Sequence, residues 1–425
     1  MELSIKYGRG TQSVHIEDSR LVAQLGGGAY RAIEDVQAAV NQAIAYPVGP
    51  YLEEVVSHGD RVLIMTVDHT RPNPSQMLWP LAERVRALGG KPEVMIGLGN
   101  HRAMAPEELQ RFIGTSEVYQ NDSSGSDQWR LGHTTHGSPI EVSPVLEQFD
   151  KRMVVGFIEP HYIAGFSGGR KMILPGVASR QSITHNHFLT ALHGPQLGRL
   201  VGNPVHEDMQ QAAMAVGVDW ICDAVVNPDD TFHTIWCGDL RAAHQAGVRA
   251  AETLYSQTVP RKADIVICSA GGWPYDVDMV QAKKTLAPAM ECVKPSGVVI
   301  LLGECERGWG ASEPDWDLLR AETVLPTRRT LNSRLQQGRC ERQWAPSSPG
   351  LLFSRVVHDV PARLILVCSL NDRLTDTYLE TADTVAQAVE LAQETVGKQA
   401  SVTVIHDGRR ALCRVAQDSA GRGAP

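Results

Sequence analysis

Arg61 to Val67 (RVLIMTV) is an almost unbroken apolar run. That pattern predicts a strand buried on both faces of a parallel sheet. A polar loop, Asp68 to Pro72, follows it. Pro74 to Leu88 then carries apolar residues at helical spacing and stops at Gly89–Gly90. Glu93 to Ile96 predicts the next strand, ending in GLGNHR, and Pro106 to Ile113 the next helix. The result is a βαβ unit with a polar motif just after each strand. Ligands of open α/β sheets bind at the carboxyl ends of strands, so Asp68, Arg71, Asn100 and His101 are predicted to face one crevice. Gly114 to Ser143 is polar and glycine-rich, as a loop or hairpin is. Met153 to Phe157 predicts a strand that leads straight into HYIAGFSGGRK (His161 to Lys171). Pro204 to Val216 and Arg241 to Thr253 read as helices.

The pattern restarts around Val259–Lys262. Strands are predicted at Asp264–Cys268, Val298–Leu302, Arg363–Val367 and Ser401–Ile405, and helices at Met279–Cys292, Glu313–Thr323 and Thr384–Val396. The fold class expected is α/β: two α/β domains with largely parallel sheets and the active site in the cleft between them. Residues 1–260 form the expected cofactor-binding domain, 261–415 a smaller C-terminal domain, and 416–425 a disordered tail. Asn332 to Gly350 is irregular and reads as a lid or extended loop. No internal repeat is visible.

Composition narrows the function classes. The 425 residues are 43% hydrophobic and 21% charged, enough apolar material for two cores. A formal charge of −8 leaves no basic footprint for nucleic acid or an anionic membrane. No apolar run approaches the roughly 20 residues of a membrane span. The opening MELSIKYGRGTQSVHIED alternates like a strand and lacks the apolar centre of a signal peptide. Eight scattered cysteines without a C-x-x-C pair read as reduced thiols, so a cytoplasmic protein is expected.

Several runs carry candidate chemistry. Glycines let the backbone of the His161–Lys171 loop approach a bound group, and Lys171 at its end is either an anion contact or a nucleophilic amine. DHTRP (Asp68 to Pro72) is either a capped turn with an ion pair or a site where Arg71 holds an acid group and Asp68 a hydroxyl. GLGNHR lacks the spacing of a dinucleotide fingerprint, so His101 is a turn residue or a catalyst. His185–Asn186–His187 has no H-E-x-x-H or cysteine support for zinc. Gln281 and Lys284 share one face of a helix, where a lysine is ordinarily just solvated. His133 and His136 receive no role.

Taken in order, these runs resemble the nickel-dependent lactate racemase family, whose members carry a nickel-pincer nucleotide. The resemblance covers nearly the whole chain. It rests on DHTRP at Asp68, GNHR at Gly99, EPHYIAGFSGGRK at Glu159, the Gly176–His187 segment and GGWPYDVDMVQAKK from Gly271 to Lys284. It implies a Ni(II)-pyridinium-3,5-bisthiocarboxylic acid mononucleotide attached covalently at Lys171, with His187 as the protein ligand to nickel. It implies that His101 and His161 act as opposed acid and base. Asp68, His69, Thr70 and Arg71 would contact the cofactor, Arg71 also the substrate, and Gln281 and Lys284 the substrate carboxylate. The implied reaction inverts C2 of a 2-hydroxy acid by reversible hydride transfer, with cofactor-biosynthesis enzymes as partners. Two departures bear on the substrate. Val280 stands where lactate-acting relatives tend to have an aromatic residue, and Trp344, the match to a pocket tryptophan, sits in surroundings that diverge from the family's. The rival readings are an NAD-dependent 2-hydroxy-acid dehydrogenase and a non-catalytic cofactor- or ligand-binding protein. The identity of the 2-hydroxy acid and the oligomeric state stay open.

Overall fold

The protein is seen in a computed structural model that describes residues 1–26, 30–193, 196–310, 352–353, 356–357, 359–375 and 379–416. The expected helix Glu313–Thr323, the stretch Asn332–Gly350 with Trp344, and the tail beyond Ala416 lie outside the described residues. The chain divides into two compact units. The first is Ala29–Leu189 with Gly198–Leu254, and the second is Met1–Gly28, Thr190–Leu197 and Tyr255–Pro425.

The first unit is built on a six-stranded sheet in the order Phe232–Gly238, Trp220–Val226, Lys151–Phe157, Arg61–Thr66, Lys91–Ile96, Tyr119–Gln120. Neighbours run parallel except at the Phe232–Gly238 edge, which is antiparallel. Arg61–Thr66 is central because its side chains are apolar on both faces: Val62 to Thr66 are all buried. From this strand the chain winds outward to Tyr119–Gln120. It then returns to the strand's other side with Lys151–Phe157. The reversal makes a topological switch point between Arg61–Thr66 and Lys151–Phe157, where a doubly wound sheet opens a crevice.

Helix ends follow local chemistry. Pro204–Val216 begins where the Asn203 side chain accepts hydrogen bonds from the amides of Val205 and His206, and Pro204 sits at the first helical position. It ends at Gly217, whose φ of 76° suits glycine. The polar stretch 114–143 holds Tyr119–Gln120 and an antiparallel pair, Trp129–His133 with Pro139–Val142.

The second unit carries a six-stranded parallel sheet in the order Glu380–Ala382, Arg363–Val367, Val293–Leu302, Ala263–Ser269, Val402–Ile405, Leu21–Leu25. Its switch point lies between Ala263–Ser269 and Val402–Ile405. The opening residues, expected within the 1–260 domain, therefore group with the second unit. Alternation identifies a strand near the N-terminus but cannot choose its sheet. Leu21 pairs with Val402 and Leu25 with Ile405. The expected helix Met279–Cys292 is broken into Met279–Ala282, a 3-10 turn Lys283–Thr285 and Leu286–Cys292. Pro288 is the reason, since it has no N–H to return to the carbonyl of Lys284.

Candidate active site

In the first unit, the loops after Arg61–Thr66, Lys91–Ile96 and Lys151–Phe157 leave the same edge of three adjacent strands. Strands lie about 4.8 Å apart, so these loops start within about 10 Å of one another. They carry Asp68, His101 and His161 respectively.

Asp68 is buried, 3% exposed. Its Oδ1 accepts the Thr70 amide at 3.0 Å and the Thr70 hydroxyl at 2.6 Å, the closure of a tight turn. Its Oδ2 lies 2.5 Å from Nδ1 of His101. Burial alone would raise the pKa of this carboxyl. The hydrogen bond and charge of His101, the Thr70 hydroxyl and the Arg71 charge outweigh burial and hold it below the usual carboxylate range. An ionised carboxylate can only accept, so Nδ1 of His101 carries the proton and Nε2 is the basic nitrogen. The ring is 40% exposed while Asp68 is nearly closed off, so the carboxylate backs the ring from inside. Arg71 is half-buried, and its Nη1 donates to the Thr70 carbonyl at 2.9 Å. His69 is exposed.

His161 is arranged the opposite way. It opens a two-residue pairing, Pro160–His161 with Gly165–Phe166, and its ring stacks on Tyr162. Its Nδ1 accepts the amides of Ile163 and Ala164, each at 3.3 Å. Nδ1 is thus the acceptor nitrogen, and the proton of the neutral ring sits on Nε2.

Lys171 is half-buried in the 3-10 turn Gly169–Met172. Its amide donates to the Gly168 carbonyl at 3.1 Å. The turn that follows packs on the His101 turn. The Gly99 amide donates to the Gly176 carbonyl at 2.8 Å, and a Cβ at Gly97 would fall 2.5 Å from Met172 Sδ. The Ser123 hydroxyl donates to Asn100 Oδ1 while the Ser123 carbonyl accepts the Arg180 amide, joining this region to the start of helix Arg180–His193.

His185 and His187 both lie on that helix. Two residues apart, they point to different faces. His185 Nδ1 is 3.0 Å from the Ser138 hydroxyl, which donates in turn to Asp208. His187 is half-buried, with Nδ1 3.3 Å from Asn186 Oδ1. The amide group of Asn186 is oriented by its donation to the Val205 carbonyl, which makes Oδ1 the acceptor and puts the lone pair of the neutral His187 ring on Nε2. Among the described residues no three His, Cys, Asp or Glu side chains gather as a metal site.

In the second unit, Asp278 caps the turn by accepting the Gln281 amide at 2.8 Å. Lys284 Nζ then donates to Gln281 Oε1 at 2.5 Å, so these two form one polar pair on a short helix after Ala263–Ser269. Asp276, 1% exposed, accepts the amides of Gly8 and Glu304 and ties the GGWPYDVD loop to its neighbours. Neither Asp276 nor the buried Arg170 and Asp223 of the first unit stood out in the sequence. A lone charge inside an apolar run, as in WICDAVV, is the signal that could have marked Asp223.

Comparison with known proteins agrees with these motifs. A sequence model of the lactate racemase N-terminal domain matches residues 7–198, and one of the lactate racemase C-terminal domain matches residues 258–412. A lactate racemase of Thermoanaerobacterium thermosaccharolyticum is 28% identical over 97% of this chain and 99% of its own. One of Lactiplantibacillus plantarum is 29% identical over 96% and 98%. The solved lactate racemase apoprotein from T. thermosaccharolyticum superposes with a TM-score of 0.87 at 27% identity, covering 97% of this chain and all of that one. A Thermotoga maritima protein, 17% identical with a TM-score of 0.66, covers 90% of this chain and 98% of its own and shares the fold. The chain belongs to the lactate racemase family and is an isomerase of the racemase type.

Proposed function

We propose that this racemase inverts C2 of a 2-hydroxy acid with a nickel-pincer nucleotide held at Lys171 and His187. The observation that carries the reading is the pair of oppositely backed histidines on loops of the same sheet edge, His101 on a carboxylate and His161 on backbone amides. A binder without turnover has no use for such a pair.

The donor set fits the cofactor. A metal held by protein alone needs several clustered ligands, and none gather among the described residues. A metal at His187 therefore takes its remaining donors from a bound group, which suits a pincer and the tetragonal preference of Ni(II). Lys171 offers the amine for covalent attachment, and the Asp68–Arg71 turn offers polar contacts. When bound, the group supplies a pyridinium ring that accepts and returns hydride.

The chain's own residues handle the proton and the carboxylate. Nε2 of His101 takes the proton of the substrate hydroxyl, because Nδ1–H is committed to Asp68. Asp68 stabilises the imidazolium so formed and keeps the ring in one tautomer. To give a proton back from Nε2 when the hydroxyl is rebuilt on the inverted carbon, His161 acts as an imidazolium, its Nδ1 released from the amides of Ile163 and Ala164. Arg71, Gln281 and Lys284 hold the carboxylate, so that the carbon keeps its place while its configuration changes. Val280 beside Gln281, in place of an aromatic residue, favours a 2-hydroxy acid bulkier than lactate.

The test is protein made alongside the cofactor's biosynthetic enzymes, weighed intact, assayed for nickel, and screened by chiral chromatography against 2-hydroxy acids. Nickel, a cofactor-sized mass and inversion of at least one acid are expected. Inversion by protein carrying neither mass nor nickel would refute the cofactor. So would reduction of added NAD by a 2-hydroxy acid, which is dehydrogenase chemistry.

A further inference from the structure

Arg170, the residue before Lys171, is fully buried. Its guanidinium meets no carboxylate among the described residues. Instead Nε donates to His206 Nδ1 at 2.9 Å, and Nη1 to His244 Nε2 at 2.6 Å and to the carbonyls of Gly168 and Ser167 at 3.1 and 3.2 Å. Nη2 donates to the carbonyls of Phe166 and Ala164 at 2.8 and 3.0 Å. Every N–H of the fork has an acceptor. Both imidazoles can accept only because they are neutral: burial, then the Arg170 charge, pushes His206 down to about 3 and His244 well below its usual range. With its Nε2 lone pair taken by Arg170, His244 cannot donate to the Ser167 carbonyl, which receives Nη1 instead.

The other side of the same loop is fixed as well. Asp223 is fully buried, and its Oδ2 accepts the Gly169 amide at 2.7 Å. Gly168 has φ of 84°, and a Cβ there would fall 2.6 Å from Ile158 Cγ1 and 2.8 Å from Asp223 Oδ2. The main chain from Ala164 to Gly169 thus passes between a buried cation that collects its carbonyls and a buried carboxyl that takes its amide.

We propose that Arg170 is a positioning residue, whose buried guanidinium locks the loop from Ala164 to Gly168 in one conformation and so fixes the base from which the Lys171 side chain reaches its covalent partner. The assignment rests on Lys171 being the attachment point. A backbone ordered during folding does not have to be ordered again when the bond to the cofactor forms. A loop displaced by even 1 Å presents the amine in the wrong place.

The test uses Arg170→Met and Arg170→Lys, with amide hydrogen exchange of the unloaded chain and the mass added at Lys171 on co-expression with the cofactor pathway. Lysine keeps the charge but cannot serve that many acceptors. In both variants, exchange across residues 164–172 should quicken by about 100-fold while the strand Arg61–Thr66 keeps its protection, a local effect that general destabilisation does not produce. Loading of Lys171 should fall at least about tenfold. Free guanidinium ion should restore part of it in Arg170→Ala. A folded Arg170→Met that exchanges and loads like wild type would overturn the proposal. If Arg170→Met does not fold, Arg170→Lys decides by the same two readouts. One result needs no variant: unloaded wild type whose residues 164–172 exchange as fast as exposed loops also overturns it. If wild type gains no mass at Lys171, the attachment reading fails, and hydrogen exchange still judges the role of Arg170.

Discussion

Replacing Asp68 by asparagine changes one oxygen to an amide nitrogen at a site that is 3% exposed. The asparagine oxygen can keep both bonds from Thr70, so the turn survives. Its NH2 group then faces Nδ1 of His101 across 2.5 Å. Two donors cannot share that contact, so Nδ1 becomes the acceptor and the His101 proton moves to Nε2. The nitrogen that should take the substrate proton is then already protonated. The loss has two parts. A hydrogen bond to a charged partner is worth roughly 1.5–3 kcal/mol, which is about 10- to 150-fold in rate. The wrong tautomer adds to this; the same swap costs about 10⁴ in the serine protease triad. A fall of roughly 10²–10⁴ is therefore expected, the span of a general acid/base group.

The assay is racemisation from each enantiomer, with nickel content and intact mass recorded for the same sample. Two enantiomers have equal free energy in water, so kcat/KM must fall by the same factor in both directions. The individual kcat values are under no such constraint and should split. Asp68 acts only while ionised. Its folded value is depressed, so its contribution to stability is present above the unfolded value of about 3.9 and is lost as pH falls through the folded one. The stability difference between wild type and Asp68→Asn should then hold from neutral pH down to about 4 and shrink in stronger acid. A folded, loaded Asp68→Asn within about threefold of wild-type kcat/KM, less than 1 kcal/mol, would refute the tautomer argument.

Four further outcomes follow. His187→Ala should lose nickel and activity, whereas His185→Ala should keep both, since His185 is engaged with Ser138; the reverse result, by metal analysis, would show the wrong histidine was chosen. Lys171→Ala should lack the cofactor mass seen on the wild-type peptide, and an adduct on a different lysine would sink the attachment. Burial raises Asp223 to about 7, so the folded state binds a proton that the unfolded state has released, and stability falls as pH climbs from about 4 to 7. Asp223→Asn should accordingly gain relative to wild type in thermal melts at pH 8 compared with pH 5, by at most roughly 3 kcal/mol, and an equal difference at both would contradict this. Nitrogen-15 NMR of the unloaded protein should find the ring proton on Nδ1 in His101 and on Nε2 in neutral His161; the same tautomer in both would remove the asymmetry.

How far the sequence led depends on the range of the forces involved. The strand Arg61–Thr66 was legible because a parallel central strand must be apolar on both faces, and helix Pro204–Val216 because its cap, proline and closing glycine are all local. Trp220–Val226 went unread although all its side chains are buried, since a short apolar run does not by itself tell strand from helix. The sheet joined by Leu21–Leu25 was not legible either. Its partner strand begins at Val402, and no local pattern encodes so distant a pairing. In the candidate site, the motifs named the residues that carry polar chemistry but not those that hold them in place. Arg170 carries no mark in the GGRK run, and only the folded chain shows its fork buried among the loop's own carbonyls.

The least legible feature was the difference between the two histidines. A racemase works on mirror-image substrates, and the sequence invites two equal bases. The fold is not a mirror, and it can only build the two sites from different materials. His101 ends a turn whose neighbour strand supplies Asp68, while His161 folds back over the amides of Ile163 and Ala164. Symmetry of the reaction does not require symmetry of the site. It requires only that the proton gained by one histidine on one face be matched by a proton available from the other on the opposite face. A state with His101 neutral, its Nε2 bare, and His161 an imidazolium meets that condition in one direction. In the proposed two-base cycle, turnover in that direction leaves His101 charged and His161 neutral, which is the state the opposite enantiomer needs. Each catalytic event therefore prepares the enzyme for the reverse one, unless protons exchange with water between turnovers. On that reading Asp68 favours a charged His101 and so sets which enantiomer meets a ready enzyme, and the equal kcat/KM demanded by thermodynamics is reached through unequal steps.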